Sequence, residues 1–135
     1  MSKGNLTRGI SLKRQNYLET IYDLCRENGS ASTKSIAEKM QIKMPSVTEA
    51  VKNLSEKGLV NYSARKAITL TAKGLQVASE LERKHSVLED FFLSIGCNSE
   101  QASKTACLVE HDIDFEISAK LAKVSAALKS GKITI

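Results

Sequence analysis

Proline occurs once and tryptophan not at all, aromatic residues make up 4% of the chain, and only seven glycines are spread along 135 residues. With helix breakers this scarce and Leu, Ala, Lys and Glu abundant, the chain is expected to be mainly α rather than β-rich. No apolar stretch approaches the ~18 to 20 residues needed to cross a bilayer, and no apolar run follows a basic start. A membrane span and a secretory leader are therefore not expected, and a cytoplasmic protein is. The cysteines number three, Cys25, Cys97 and Cys107, odd in count and far apart. That argues against a secreted disulfide framework, and reduced thiols are expected. A Gly-rich phosphate loop, an HExxH helix and a nucleophile motif are also missing, so an enzyme is not expected. The length suits one domain, or a small domain with a helical segment appended.

What is present is unevenly placed. Up to Lys73 there are 13 Lys or Arg against 6 Asp or Glu, a balance of +7, and from Gly74 onward 7 against 9, a balance of −2. A polyanion is directed to the first half, and the second half is left for another task.

Residues 1–10 show no period and read as a flexible arm. From Ser11 the pattern turns helical, with Leu12, Leu18, Ile21, Tyr22, Leu24 and Cys25 on a stripe that stops at Asn28-Gly29. Cys25 is most simply core. A second, short helix follows a cap at Ser32 or Thr33 and carries Ile36, Ala37 and Met40. A third starts around Pro45, which suits the first helical position, and repeats Val47, Ala50, Val51 and Leu54 before Gly58. The runs 59–62 and 67–70 predict a two-stranded ribbon with a basic tip at Arg65 and Lys66. Thr71 opens a long helix to Gly96, another runs from about Ser99, and a last one, capped near Asp114, carries Ile117, Leu121, Val124 and Leu128.

Helix, short helix, turn, helix, ribbon is the order of a winged helix-turn-helix, whose second motif helix enters the DNA major groove while the ribbon touches the backbone or minor groove. With the apolar positions turned inward, Lys43, Pro45, Ser46, Thr48, Glu49 and Lys52 lie at the start or on the outer face of the third helix, with Met44 and Asn53 nearby. Hydroxyls there suit phosphate or base-edge contacts, the helix N-terminus attracts phosphate, and lysine supplies charge. Arg65 and Lys66 would be the wing contacts. The expected domains are therefore a winged helix-turn-helix over 11–73 and a helical metal-binding and dimerisation segment over 74–135.

Metal binding enters through Cys107-Leu108-Val109-Glu110-His111. On a helix, Cys107, Glu110 and His111 would bring a thiolate, a carboxylate and an imidazole to one face. The competing reading makes Cys107 a small core hydrophobe beside two residues at a wet helix end. His85 and Glu89 stand at i, i+4 on the long helix, and Asn16 and Glu19 at i, i+3 on the first. Three helices each offering coordinating groups meet the four to six donors that a divalent cation takes.

The segments Asn16-Tyr17-Leu18-Glu19-Thr20-Ile21-Tyr22, Ile36-Ala37-Glu38 with Pro45-Ser46-Val47-Thr48, Leu70-Thr71-Ala72-Lys73-Gly74, His85 with Leu88-Glu89, and Cys107-Leu108-Val109-Glu110-His111 resemble the diphtheria toxin repressor family of metal-dependent transcription regulators. The resemblance is to its shorter manganese transport regulator branch and runs from about Ser11 to Leu128. It implies one metal site from Asn16, Cys107, Glu110 and His111, and a second drawing on Glu19, His85 and Glu89. Two positions depart from the pattern. Asn16 stands where the family usually has Met or Asp, and Ser103 where one branch has a further His, so the second site is either partial or rebuilt around Glu19.

The resemblance implies a homodimeric, metal-activated repressor of metal-uptake genes, in which a cation joins the DNA-binding half to the helical half and sets the spacing of two recognition helices. A thiolate ligand favours iron(II), cobalt, nickel or zinc, and the carboxylates suit manganese or iron(II). Iron(II) or manganese(II) is the expected effector, with zinc, cobalt or nickel able to bind in vitro. Two rivals stand beside this reading: a winged-helix regulator that senses no metal, and a small metal-dependent hydrolase using Glu110 or Glu89 as base.

Overall fold

The structure, a computed structural model, describes residues 6–135, and residues 1–5 of the expected arm lie outside the described residues. It falls into two compact units, Gly9–Ser79 and a helical unit of Glu80–Ile135 with residues 6–8.

The first unit is built from α1 (Leu12–Asn28), α2 (Thr33–Met40), α3 (Met44–Glu56) and the strands β1 (Val60–Asn61) and β2 (Thr69–Leu70). Each helix is bounded by local chemistry. The Ser11 side chain accepts from the Arg14 amide at the start of α1, and Gly29 at φ 84° closes it. Ser32 and Ser35 form a reciprocal capping box on α2, which Gln41 ends in the left-handed region at φ 57°. Lys43 caps α3 without a side-chain bond, so Met44 is the first helical residue and Pro45 the second, one place later than the sequence predicts. Proline tolerates that position because first-turn amides have no partner within the helix. The inward residues Leu18, Ile21, Ile36, Val47, Val51, Leu54, Leu59 and Ile68 form a nearly solvent-free core.

The wing is shorter than the four-residue runs of the sequence. Only Val60 with Leu70 and Asn61 with Thr69 are paired. Ile68 instead exchanges backbone bonds of 2.9 and 2.8 Å with Ala31 before α2, which draws it out of the ladder and ties the ribbon to the helical motif.

Helix α4 (Ala72–Ser94) carries the chain from the first unit into the second. Its start is fixed by Thr71, whose hydroxyl donates to the Gly58 carbonyl (2.6 Å) and accepts from the Gly74 amide (3.0 Å). A Cβ placed on Gly74 would sit 1.8 Å from the Leu59 carbonyl oxygen, so only glycine lets the helix approach the strand this closely.

In the second unit, α5 (Ser99–Val109) begins with an Asn98–Gln101 capping box, and α6 (Phe115–Lys129) is capped by Asp114. Along α6 the buried positions include Ser118 and Ser125, whereas Ile117 and Val124 are 53% and 40% exposed. Leu108 on α5 is 75% exposed. These positions invert the usual distribution and leave apolar side chains in need of cover.

Candidate metal centre

The second unit gathers ligand types at one place. His85 on α4, Cys107 on α5 and Glu110 at the end of α5 bring one donor atom each to within 4.8 Å of one another. His85 Nδ1 lies 2.9 Å from Glu110 Oε1 and 3.7 Å from Cys107 Sγ. The other ring nitrogen, Nε2, lies 3.5 Å from Glu89 Oε2 on the next turn of α4. Donors at about 2.0 to 2.3 Å from one metal ion are separated from each other by roughly 3 to 4.5 Å, so this trio fits a cation. The mixture of thiolate, imidazole and carboxylate is that of a transition metal.

Burial differs sharply across the cluster. Glu110 is 1% exposed, whereas Cys107 is exposed and His85 half-buried. A carboxylate withdrawn from water needs a positive partner, and an imidazole or a bound cation meets that need.

His111 brings a ring nitrogen to within 4.8 Å of a Glu110 carboxylate oxygen, although the helix itself has ended. Helix α5 ends at Val109, Glu110 is its C-cap, and His111 falls in the turn beyond. Glu110 keeps right-handed helical angles, φ −56° and ψ −32°, and the turn that follows leads to the Asp114 cap of α6. His111 is 8% exposed. Burial lowers its pKa, Asp112 opposes that shift, and the charges of Lys84 and His85 add to it. The ring is therefore neutral near pH 7, the form that ligates metal.

Lys84 is a residue that sequence reasoning missed. It is 1% exposed, and its ammonium has no hydrogen-bond partner among the described residues. It stands in the charged run Glu82-Arg83-Lys84, where nothing in the sequence distinguishes a buried lysine from a solvated one. Asn16 and Glu19 belong to the other unit, exposed and half-buried respectively on α1.

The residues expected to meet DNA are also placed individually. Lys43, Pro45, Ser46, Glu49 and Lys52 are exposed along α3, and Arg65 and Lys66 are exposed at the wing tip, Arg65 in the left-handed region at φ 66°. Thr48 is half-buried and its hydroxyl donates to the Met44 carbonyl (3.1 Å), which leaves its lone pairs as the free function.

Comparison with known proteins agrees with this division. Residues 10–68 match the family model described as iron dependent repressor, N-terminal DNA binding domain, and residues 71–130 match its metal binding and dimerisation domain. The chain is 36% identical over 114 residues to an uncharacterized HTH-type transcriptional regulator of Methanocaldococcus jannaschii, covering 83% of this chain and 91% of that protein. It is 34% identical over 102 residues to the HTH-type transcriptional regulator MntR of Shouchella clausii, covering 76% of this chain and 71% of the other. Among solved structures, the manganese regulator SloR superposes with a TM-score of 0.70 at 33% identity, over 82% of this chain and 52% of that one. The chain thus spans about half the length of SloR. A winged helix-turn-helix followed by a helical metal-binding and dimerisation segment, matched in both parts, places this chain in the iron dependent repressor family, the diphtheria toxin repressor family of metal-dependent transcriptional regulators.

Proposed function

We propose that the protein is a homodimeric, cytoplasmic transcriptional repressor whose binding to double-stranded DNA is activated by iron(II) or manganese(II), and that it controls metal-uptake genes. The observation that carries the reading is the meeting of donor atoms of His85, Cys107 and Glu110 within 4.8 Å of one another, in a stretch that matches a metal binding domain. His85 would give Nδ1 to the cation while its Nε2–H is held by Glu89, since a neutral imidazole ligates through one nitrogen and donates from the other. Glu89 is then an orienting carboxylate. His111 adds a donor beside Glu110 in this proposal. Asn16 and Glu19 on α1 are proposed as metal ligands on the strength of their sequence positions alone. A bound divalent cation would add positive charge beside Glu110 and a Cys107 thiolate, next to the His85 ring that already touches both.

On the DNA side, Lys43 and Lys52 offer charge to phosphates, and Ser46, Thr48 and Glu49 offer groups to base edges. Arg65 and Lys66 reach the backbone from the wing. The exposed Leu108, Ile117 and Val124 supply the apolar surface of a dimer, which a two-fold operator requires.

The test is DNA binding by the reduced full chain to its own upstream region, with manganese(II), with iron(II) under anaerobic conditions, and with chelator. A coupling of about 1 to 3 kcal/mol predicts that chelation weakens binding roughly five- to 150-fold. Equal binding in all three states would leave a winged-helix regulator that senses no metal.

A further inference from the structure

A cavity of about 260 Å³ lies between the start of α1 and the outer side of α3, lined by Lys13, Arg14, Tyr17, Ser46, Glu49 and Ala50. None of the three α1 residues was marked as a DNA contact by the sequence, which assigned α1 to core packing and metal. Tyr17 is 1% exposed, yet its hydroxyl has no hydrogen-bond partner among the described residues, and the Nε of Arg14 is buried in the same condition. An unpaired buried hydroxyl costs stability that phenylalanine, with the same ring, would not. Two unmet donors at one cavity, beside the Lys13 ammonium and the Ser46 hydroxyl in the first turn of α3, describe a place for an oxyanion.

The surrounding charges fit a phosphate that arrives with DNA. A phenol is a protonated donor at neutral pH, and Arg14 and Lys13 stand with it in the same lining. Glu49 disfavours an anion in the cavity. It is exposed, however, and free to turn outward when α3 enters a groove. A duplex laid along α3 carries phosphates on both rims of the major groove, and the cavity lies beside the first turns of α3.

We infer that this cavity seats one backbone phosphate of the bound duplex, with the Tyr17 hydroxyl and the Arg14 guanidinium as hydrogen-bond donors and Lys13 as added charge. The inference rests on the DNA-binding reading above and adds α1 to the contacts made by α3 and the wing. Because a phosphate carries no base identity, the contribution is the same on every sequence.

The experiment uses the reduced, metal-loaded full chain and a short mixed-sequence duplex, with anisotropy read over a series of chloride concentrations. Tyr17→Phe weakens binding about tenfold, as loss of a hydrogen bond to a charged group does. It leaves cobalt(II) affinity unchanged and the thermal midpoint equal or higher, since only an unsatisfied hydroxyl is removed. Arg14→Gln lowers the slope of log Kd against log salt by about one. Parent-like DNA binding by both variants would overturn the inference while leaving DNA binding itself intact. A lowered midpoint in Tyr17→Phe would also overturn it, by giving the hydroxyl an internal partner. Displacement of duplex by inorganic phosphate at matched ionic strength, in the parent but not in Tyr17→Phe, would assign the cavity to a free anion instead. Failure of the parent to bind any duplex would overturn the inference together with the reading it rests on.

Discussion

The two units spend their burial on different kinds of group. Gly9–Ser79 hides Leu18, Ile21, Ile36, Val47, Val51, Leu54, Leu59 and Ile68, while its ionisable groups Lys43, Glu49, Lys52, Arg65 and Lys66 are exposed. Glu80–Ile135 hides Lys84, Glu110, His111, Ser118 and Ser125 and leaves Leu108, Ile117 and Val124 outside. Hydrophobic burial stabilises the first arrangement outright, whereas buried charges are costly until paired and exposed apolar stripes are costly until covered. The first unit has the character of a finished fold carrying a charged surface. The second buries polar and ionisable groups and exposes apolar ones, in a stretch that matches a metal binding and dimerisation domain.

This contrast predicts where substitutions act. The largest stability effect belongs to the first unit: Gly74→Ala forces a methyl into the Leu59 carbonyl and destabilises by about 3 kcal/mol, read as a lowered urea midpoint. A parent-like midpoint would show that α4 does not pack on Leu59 as closely as described. Next, Ile117→Lys or Leu108→Lys, at side chains more than half exposed within the chain, shift the protein toward monomer in sedimentation while the helical content stays constant. A dimer unchanged by both would move the interface elsewhere. Smaller still, Lys52→Ala and Arg65→Ala each lower the salt slope of DNA binding by about one and leave metal affinity unchanged. A loss of metal affinity in either would erase the division of labour between the units. The smallest effect is that of Asp114→Ala, which removes the 2.9 Å bond to the Glu116 amide and costs about 1 kcal/mol.

The sequence made the first unit legible almost in full because its signals are local. Ser11, Ser32, Gly29 and Gly58 mark helix ends, and apolar stripes give the buried faces of α1 and α3. The wing was overestimated because β-propensity cannot reveal that Ile68 pairs with Ala31 rather than across the ribbon. In the second unit the ligand types were legible as residues and not as geometry. Periodicity put His111 beside Glu110, and their donor atoms do lie within 4.8 Å, although α5 ends at Val109 and His111 stands in the turn. His85, read from the resemblance as part of a second site, stands with Cys107 and Glu110 of the first. Lys84 and the unpaired Tyr17 hydroxyl could not be read at all, since burial of a polar tip depends on what the rest of the chain packs over it.

The central claim is a transition-metal site built on Cys107, His85 and Glu110, and a cobalt(II) titration of the reduced, metal-free protein tests it most directly. The account predicts saturable binding with a thiolate-to-cobalt absorption band, loss of that band in Cys107→Ser, and affinity weakened at least about a hundredfold in Glu110→Gln. Absence of the band in the parent, or a parent-like titration in Glu110→Gln, would contradict it.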